Sequence, residues 1–157
     1  IANGGELMKP YLVSEIRDKY DQVIKAFAPL ALRRVISADT AARSRKVLIG
    51  VIENGTGKLA AVPGFGAGGK TGTAQKLEPN GAYSHNKFIA SFIGFAPAQE
   101  PLIAIAVCLD EPHPYYYGGV VAAPVFKNVA NDTQRYLKAA QPLNAKLLES
   151  DEAKRNN

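Results

Sequence analysis

Tryptophan is absent from the 157 residues, and cysteine and methionine occur once each. A lone Cys108 has no partner for an internal bridge, which excludes a disulfide-stapled mini-protein and a cysteine-rich zinc site. Histidine is nearly as scarce: His85 and His113 share no spacing suited to a metal or a catalytic triad, and both read as exposed loop residues. No run reaches the roughly 18 apolar residues of a membrane span. No methionine opens the chain, so the expectation is a piece of a longer protein, with any signal or anchor upstream. Internal repeats are missing too, which sets solenoids and propellers aside.

What remains is globular in character. Hydrophobic residues make up 46% and charged residues 21%, which excludes disorder, collagen-like repeats and a coiled coil. The length suits one domain with its own core and is too short for two enzymatic halves. Lys and Arg outnumber Asp and Glu by 19 to 14, a net charge of +5, and most of the excess lies within residues 1–46. No aromatic platform or binding motif accompanies Arg33, Arg34, Arg43, Arg45 and Lys46, so this charge reads as a solvated helix face and no nucleic-acid partner is expected.

Periodicity supplies the elements. The apolar alternation of 11–17 and 23–27, parted by Asp18-Lys19-Tyr20-Asp21-Gln22, predicts an edge hairpin. Ser37 is a suitable N-cap for a helix over about 37–53, with Val47, Leu48, Val51 and Ile52 on one face and Asn54-Gly55 closing it. Strands are predicted near 67–77, 87–96 and 102–110. The last two are joined by only Pro97-Ala98-Gln99-Glu100-Pro101, too short for a parallel crossover, so the sheet is antiparallel. Pro124 suits the first turn of a final helix whose stripe is Val125, Val129, Thr133, Tyr136 and Leu137, ending near Ala139 over one face of the sheet. Beyond it, 140–157 reads as a polar, frayed tail. The class is α+β, an antiparallel sheet with packed helices.

Three patterns collide around Lys70. Gly64-x-x-x-x-Gly69-Lys70-Thr71 satisfies the P-loop expression and Gly64-x-Gly66-x-x-Gly69 the dinucleotide fingerprint. Both need a helix next, since its amino-terminal N–H groups hold the phosphates. Here Gly72 and the turn Glu78-Pro79-Asn80-Gly81 oppose one. A P-loop NTPase fragment draws its one further support from Leu109-Asp110, which imitates a magnesium-holding strand end. The third pattern is Lys70-Thr71-Gly72-Thr73 as an edge strand. Such a strand offers unpaired backbone groups to an extended peptide, with an ammonium and alternating hydroxyls for a terminal carboxylate. From residue chemistry alone, a plain solvent-facing edge strand is equally open.

Gly69-Lys70-Thr71-Gly72-Thr73-Ala74-Gln75-Lys76 resembles the third conserved box of the serine acyltransferases that include penicillin-binding proteins and serine beta-lactamases. Other stretches resemble the class B penicillin-binding transpeptidases, in order: Ile1-Ala2-Asn3-Gly4-Gly5 with Met8-Lys9-Pro10, Glu53-Asn54-Gly55-Thr56-Gly57-Lys58, and Val62-Pro63-Gly64-Phe65. They continue through Phe92-Ile93-Gly94-Phe95-Ala96-Pro97, Tyr116-Tyr117-Gly118-Gly119 and Ala122-Ala123-Pro124-Val125-Phe126. The similarity covers about 1–138, and its tyrosine-glycine stretch resembles division or sporulation-type members.

The resemblance implies the C-terminal part of the serine beta-lactamase/transpeptidase-like fold over 1–139. It further implies a peptidoglycan D,D-transpeptidase working through an acyl-serine intermediate, with no cofactor or metal. Lys70 would hydrogen-bond the serine of the second box and attract the carboxylate of a D-alanyl-D-alanine stem peptide or a beta-lactam. Thr71 and Thr73 would offer it their hydroxyls, Gly72 would keep the strand close, and the Thr73 N–H would supply half of an oxyanion hole. The implied partners are stem peptides, beta-lactams, the upstream part of the same domain and division-machinery membrane proteins. The implied location is the extracytoplasmic side of the bacterial inner membrane, through an N-terminal span outside this chain. A noncatalytic beta-lactam sensor or division-partner module is the binding alternative.

The Ser-x-x-Lys and Ser-x-Asn boxes should precede Lys70, and neither does. Ser84-His85-Asn86-Lys87 satisfies both patterns literally but follows Lys70 in a turn leading to a strand, so it reads as chance, and the fragment alone is expected to be inactive. Asp110 and Glu111 would point to opposite faces if extended, which opposes a carboxylate pair. Cys108 reads as a buried small hydrophobe. Tyr115, Tyr116 and Tyr117 either line a cleft or pack on the last helix.

Overall fold

A computed structural model describes residues 1–155, with side chains through Lys138. Its contacts divide the chain into Ile1–Arg45 and Lys46–Asn157.

The first unit is built from short strands β1 (Glu6–Met8), β2 (Glu15–Arg17), β3 (Val23–Ala26) and β4 (Ala31–Arg34). β2 pairs antiparallel with β3 and β1 with β4, and the segments between are stitched by Lys9 N to Leu30 O at 2.8 Å and Phe27 N to Ser14 O at 2.7 Å. The expected hairpin is therefore present, with shorter strands and an outer extension. Its turn is held by Asp18 Oδ1, which accepts from the amides of Tyr20 and Gln22 at 2.8 and 3.0 Å, as short carboxylates commonly do. Every residue of the four strands is exposed. Arg33 and Arg34 lie on β4, not on the expected helix face, and Arg34 pairs with Glu6 at 3.1 Å. Helix α1 (Ala38–Asn54) starts as predicted at Ser37, whose Oγ accepts from Thr40 N at 3.1 Å.

In the second unit, a 3₁₀ turn at Lys58–Ala60 leads to β5 (Gly68–Leu77), β6 (Tyr83–Ala96) and β7 (Ile103–Asp110), followed by helix α2 (Gly118–Arg155). The sheet order is β5-β6-β7, antiparallel throughout, as the short 97–101 link requires. Helix α2 packs on one face. There Phe126 meets Phe92 with ring centroids 4.8 Å apart, both fully buried. Burying each ring is worth roughly 3 kcal/mol. Ile52, Ala60, Val62, Ala67, Val107 and Ala122 complete the core around them.

Three expectations for this helix are corrected. It begins at Gly118, so Pro124 lies a turn and a half inside it. Its buried face is Ala122, Ala123, Phe126, Ala130 and Gln134, whereas Val125 and Tyr136 of the predicted stripe are 40% and 71% exposed. Alanine registers weakly in a hydrophobic pattern, yet only small side chains let the helix backbone approach the sheet this closely. The helix also continues past Ala139 to Arg155; the polar tail expected over 140–157 concerns side chains outside those described.

Candidate active site

The segment singled out by sequence is the first half of β5. Gly69 and Gly72 are required there by space: a Cβ on Gly69 would stand 2.7 Å from Ile93 O and from the Phe92 ring, and one on Gly72 would stand 2.5 Å from Ser91 Oγ. Their absence of side chains lets β5 lie flat on β6, with Lys70 opposite Ile93, Thr71 opposite Phe92, Gly72 opposite Ser91 and Thr73 opposite Ala90. Side chains alternate across a strand. Thr71 and Thr73 thus share the face covered by α2, and Lys70 projects from the other. Beyond its partner β6, β5 has no further strand among the described residues, so its outer edge is open to an added one.

Lys70 bends back to this strand. Its Nζ donates to Thr71 O at 2.9 Å and to Thr71 Oγ1 at 3.0 Å, and among the described residues it makes no ion pair. Its positive charge is left uncompensated beside the open edge, which suits a carboxylate ligand. Both threonine hydroxyls have partners on neighbouring elements. Thr73 Oγ1 accepts from Gly118 N, the first amide of α2, at 3.2 Å. Thr71 Oγ1 lies 3.1 Å from Thr56 Oγ1. Each is a hydroxyl with one proton to give. Gly118 and Gly119 make this seating possible: a Cβ on Gly118 would run into the carbonyls of Ser91 and Gly72, and one on Gly119 would stand 2.5 Å from Thr56 O.

An aromatic stack flanks the same region. Tyr116 lies on Phe88 with centroids 4.1 Å apart, nearly parallel, and Tyr117 tilts against Tyr116 at 4.5 Å. Tyr116 therefore packs on β6 and not on the last helix, while Tyr115 and Tyr117 stay exposed. The neighbouring Tyr117 hydroxyl, 3.3 Å away, pushes the Tyr116 phenol above its ordinary pKa. A hollow of about 500 Å³ in this unit, lined by Ile52, Val62, Phe65 and Ala98 among others, includes none of residues 70–73. The candidate site is an edge with a charge on it.

The competing patterns dissolve in three dimensions. Thr71 continues a ten-residue strand, so no helix N-terminus exists at Lys70 to cradle a phosphate. Asp110, the imitation magnesium ligand, instead holds Lys76 Nζ at 2.9 Å. Ser84 sits inside β6, buried, giving its proton to Asn86 Oδ1 at 2.9 Å and accepting from Lys87 N at 3.1 Å. Lys87 Nζ turns to Glu78 at 3.4 Å, so serine and lysine do not form a nucleophile and base. His85 is exposed but on β6 and not in a loop; His113 is exposed outside any strand or helix.

Two sequence expectations fail at the far end of the sheet. Asp110 and Glu111 both reach Lys76 Nζ, at 2.9 and 2.7 Å. The reason is backbone: Glu111 has φ of 48°, a left-handed step that ends the strand and turns its carboxylate back. Held mainly by Glu111 and then by Asp110, the Lys76 ammonium has its pKa raised. Cys108 is exposed, because on β7 it is the even positions that face away from α2. Sequence reasoning also gave no role to Thr56 and Gly118. Their signal was present only as glycine flanking, Gly55-Thr56-Gly57 after one helix and Gly118-Gly119 before the next.

A family profile described as the penicillin-binding protein transpeptidase domain matches residues 1–131. Stage V sporulation protein D of Bacillus subtilis (strain 168) is 43% identical over 133 residues, covering 83% of this chain and 20% of that protein. The probable peptidoglycan D,D-transpeptidase PenA of Neisseria flavescens is 50% identical over 115 residues, covering 72% and 28%. Among solved structures, apo penicillin-binding protein 3 of Mycobacterium tuberculosis superposes with a TM-score of 0.77 at 33% identity, covering 87% of this chain and 33% of that one; that protein has also been solved with aztreonam and with ampicillin. The chain thus spans between 20% and 33% of the length of these relatives.

Proposed function

This chain belongs to the penicillin-binding protein transpeptidase family, and we propose that it carries the substrate-gripping strand of a peptidoglycan D,D-transpeptidase of the division or sporulation type. The observation that carries the reading is the open outer edge of β5 with the uncompensated Lys70 ammonium folded along it. A stem peptide ending in D-alanyl-D-alanine lies along that edge as an added strand. Lys70 draws in its carboxylate, the hydroxyls of Thr71 and Thr73 donate to it, and Gly72 keeps the backbones close.

The Thr73 N–H supplies one donor of the oxyanion hole, a contribution worth about 3 to 4 kcal/mol in the transition state. The nucleophile comes from outside the 157 residues, since their one Ser-x-x-Lys, at Ser84, is buried in β6. That serine oxygen adds to the penultimate D-alanine carbonyl, terminal D-alanine leaves with the proton, and the amine of a second stem peptide then takes the acyl group. Beta-lactams bind through the same carboxylate contacts. The reading sets the protein on the extracytoplasmic side of the bacterial inner membrane, beside division-machinery proteins.

Fluorescent penicillin tests it. The full-length protein becomes covalently labelled at a serine outside these residues, Lys70→Ala abolishes the label, and residues 1–157 alone stay dark. A full-length protein that takes no label refutes the transpeptidase reading, and label on Ser84 refutes the assignment of the nucleophile.

A further inference from the structure

Thr56 has no part in the mechanism above. It lies in the turn that closes α1, where the amides of Gly55 and Gly57 both bond to Val51 O, at 3.1 and 3.0 Å. The turn is pressed against β5 by α2: a Cβ on Gly119 would meet both Thr56 O and, at 3.3 Å, Thr71 Cγ2. Turn, strand and helix start are thus packed around one pair of hydroxyls, Thr56 Oγ1 and Thr71 Oγ1, 3.1 Å apart with either able to donate.

Proton counting distinguishes the two polarities. A hydroxyl has one proton and two lone pairs, whereas an ammonium only donates. Thr71 Oγ1 therefore accepts from Lys70 Nζ at 3.0 Å. If Thr71 also gave its proton to Thr56, it would have none left for a ligand carboxylate, which only accepts. If Thr56 donates instead, Lys70 and Thr56 fill both acceptor positions of Thr71, and its single proton is directed away from them. An arriving carboxylate selects this second polarity.

We propose that Thr56 is a positioning residue for carboxylate recognition: its hydroxyl donates to Thr71 and so turns the Thr71 proton toward the ligand. This rests on the reading of residues 70–73 as a carboxylate grip. Thr56 acts through Thr71, so its effect is largest for ligands that carry the charged carboxylate, the stronger acceptor.

The test uses the full-length protein and two probes, benzylpenicillin and its methyl ester, with acylation rates measured on the same preparation. In Thr56→Val the preference for the free acid over the ester falls by about tenfold, the scale of one hydrogen bond to a charged group, because acylation by the ester, with its weaker neutral acceptor, changes less. Thr56→Ser restores the preference. Because the readout is a ratio within one sample, partial unfolding lowers both rates and leaves it intact. An unchanged ratio in Thr56→Val overturns the inference, as does an equal fall in Thr56→Ser, which would assign the effect to shape. A parent protein acylated by neither probe overturns the underlying grip reading, a result distinct from either.

Discussion

Replacing Gly118 with alanine probes how α2 is seated on the sheet. The new methyl would run into the carbonyl oxygens of Gly72 and Ser91 and stand 3.1 Å from Ser91 N. These atoms belong to residues opposite one another on β5 and β6, so no side-chain rotation relieves the clash. Overpacking of this kind costs about 1–3 kcal/mol. Relief comes only by lifting the first turn of α2, which stretches the 3.2 Å bond from Gly118 N to Thr73 Oγ1, itself worth about 1 kcal/mol. Opposing this, alanine restricts the unfolded chain and recovers about 0.5–1 kcal/mol.

The balance is a loss of about 1–3 kcal/mol. Gly50, inside α1 with nothing near its missing Cβ, supplies the control: the same substitution there stabilises by about 0.5–1 kcal/mol. Urea unfolding midpoints compared at equal slope measure both. If Gly118→Ala stabilises the protein as Gly50→Ala does, the close seating of α2 on β5 and β6 is refuted.

Phe126→Ala removes the ring packed on Phe92 and leaves a cavity in a core otherwise rich in alanine; it costs about 3–5 kcal/mol by the same unfolding assay, and a loss below about 1 kcal/mol would show a core that collapses freely. Lys76 contributes to the alkaline limb. Glu111 and Asp110 raise its folded pKa, so its contribution is complete below the ordinary lysine value of 10.5 and fades as pH climbs through the higher folded value. Lys76→Met should flatten the fall in stability above that point, and an unaltered pH profile would count against the pairing.

Much of this arrangement is legible in sequence because it follows from local constraints. The five-residue link 97–101 dictates an antiparallel pair, and Ser37 marks a helix start by its capping chemistry. The hydroxyls of Thr71 and Thr73 share a face because strand geometry has a period of two. What escapes is whatever depends on small residues meeting other elements. The buried face of α2 is mostly alanine, so a search for bulky residues selects Val125, Val129 and Tyr136 instead. Gly118 starts the helix six residues before Pro124 because contact with β5 and β6 decides its position. Asp110 and Glu111 converge through one left-handed residue that no alternation rule anticipates. The strand carrying Lys70, Thr71 and Thr73 is readable in the sequence, but the contacts of Thr56 with Thr71 and of Gly118 with Thr73 join residues far apart in the chain.

The Lys76 contact bears on how an edge strand stays in place when its outer side has no partner strand among the described residues. With a ladder on one side alone, β5 has half the backbone bonding of an interior strand, and its register is already broken between Gln75 and Leu77. There, at the end away from Lys70, a single ammonium reaches over β6 to the tip of β7 and fastens the sheet's two outer strands to each other. It works as a guy-line, steadying the strand through one side chain and leaving the backbone hydrogen-bonding groups of its outer edge untouched.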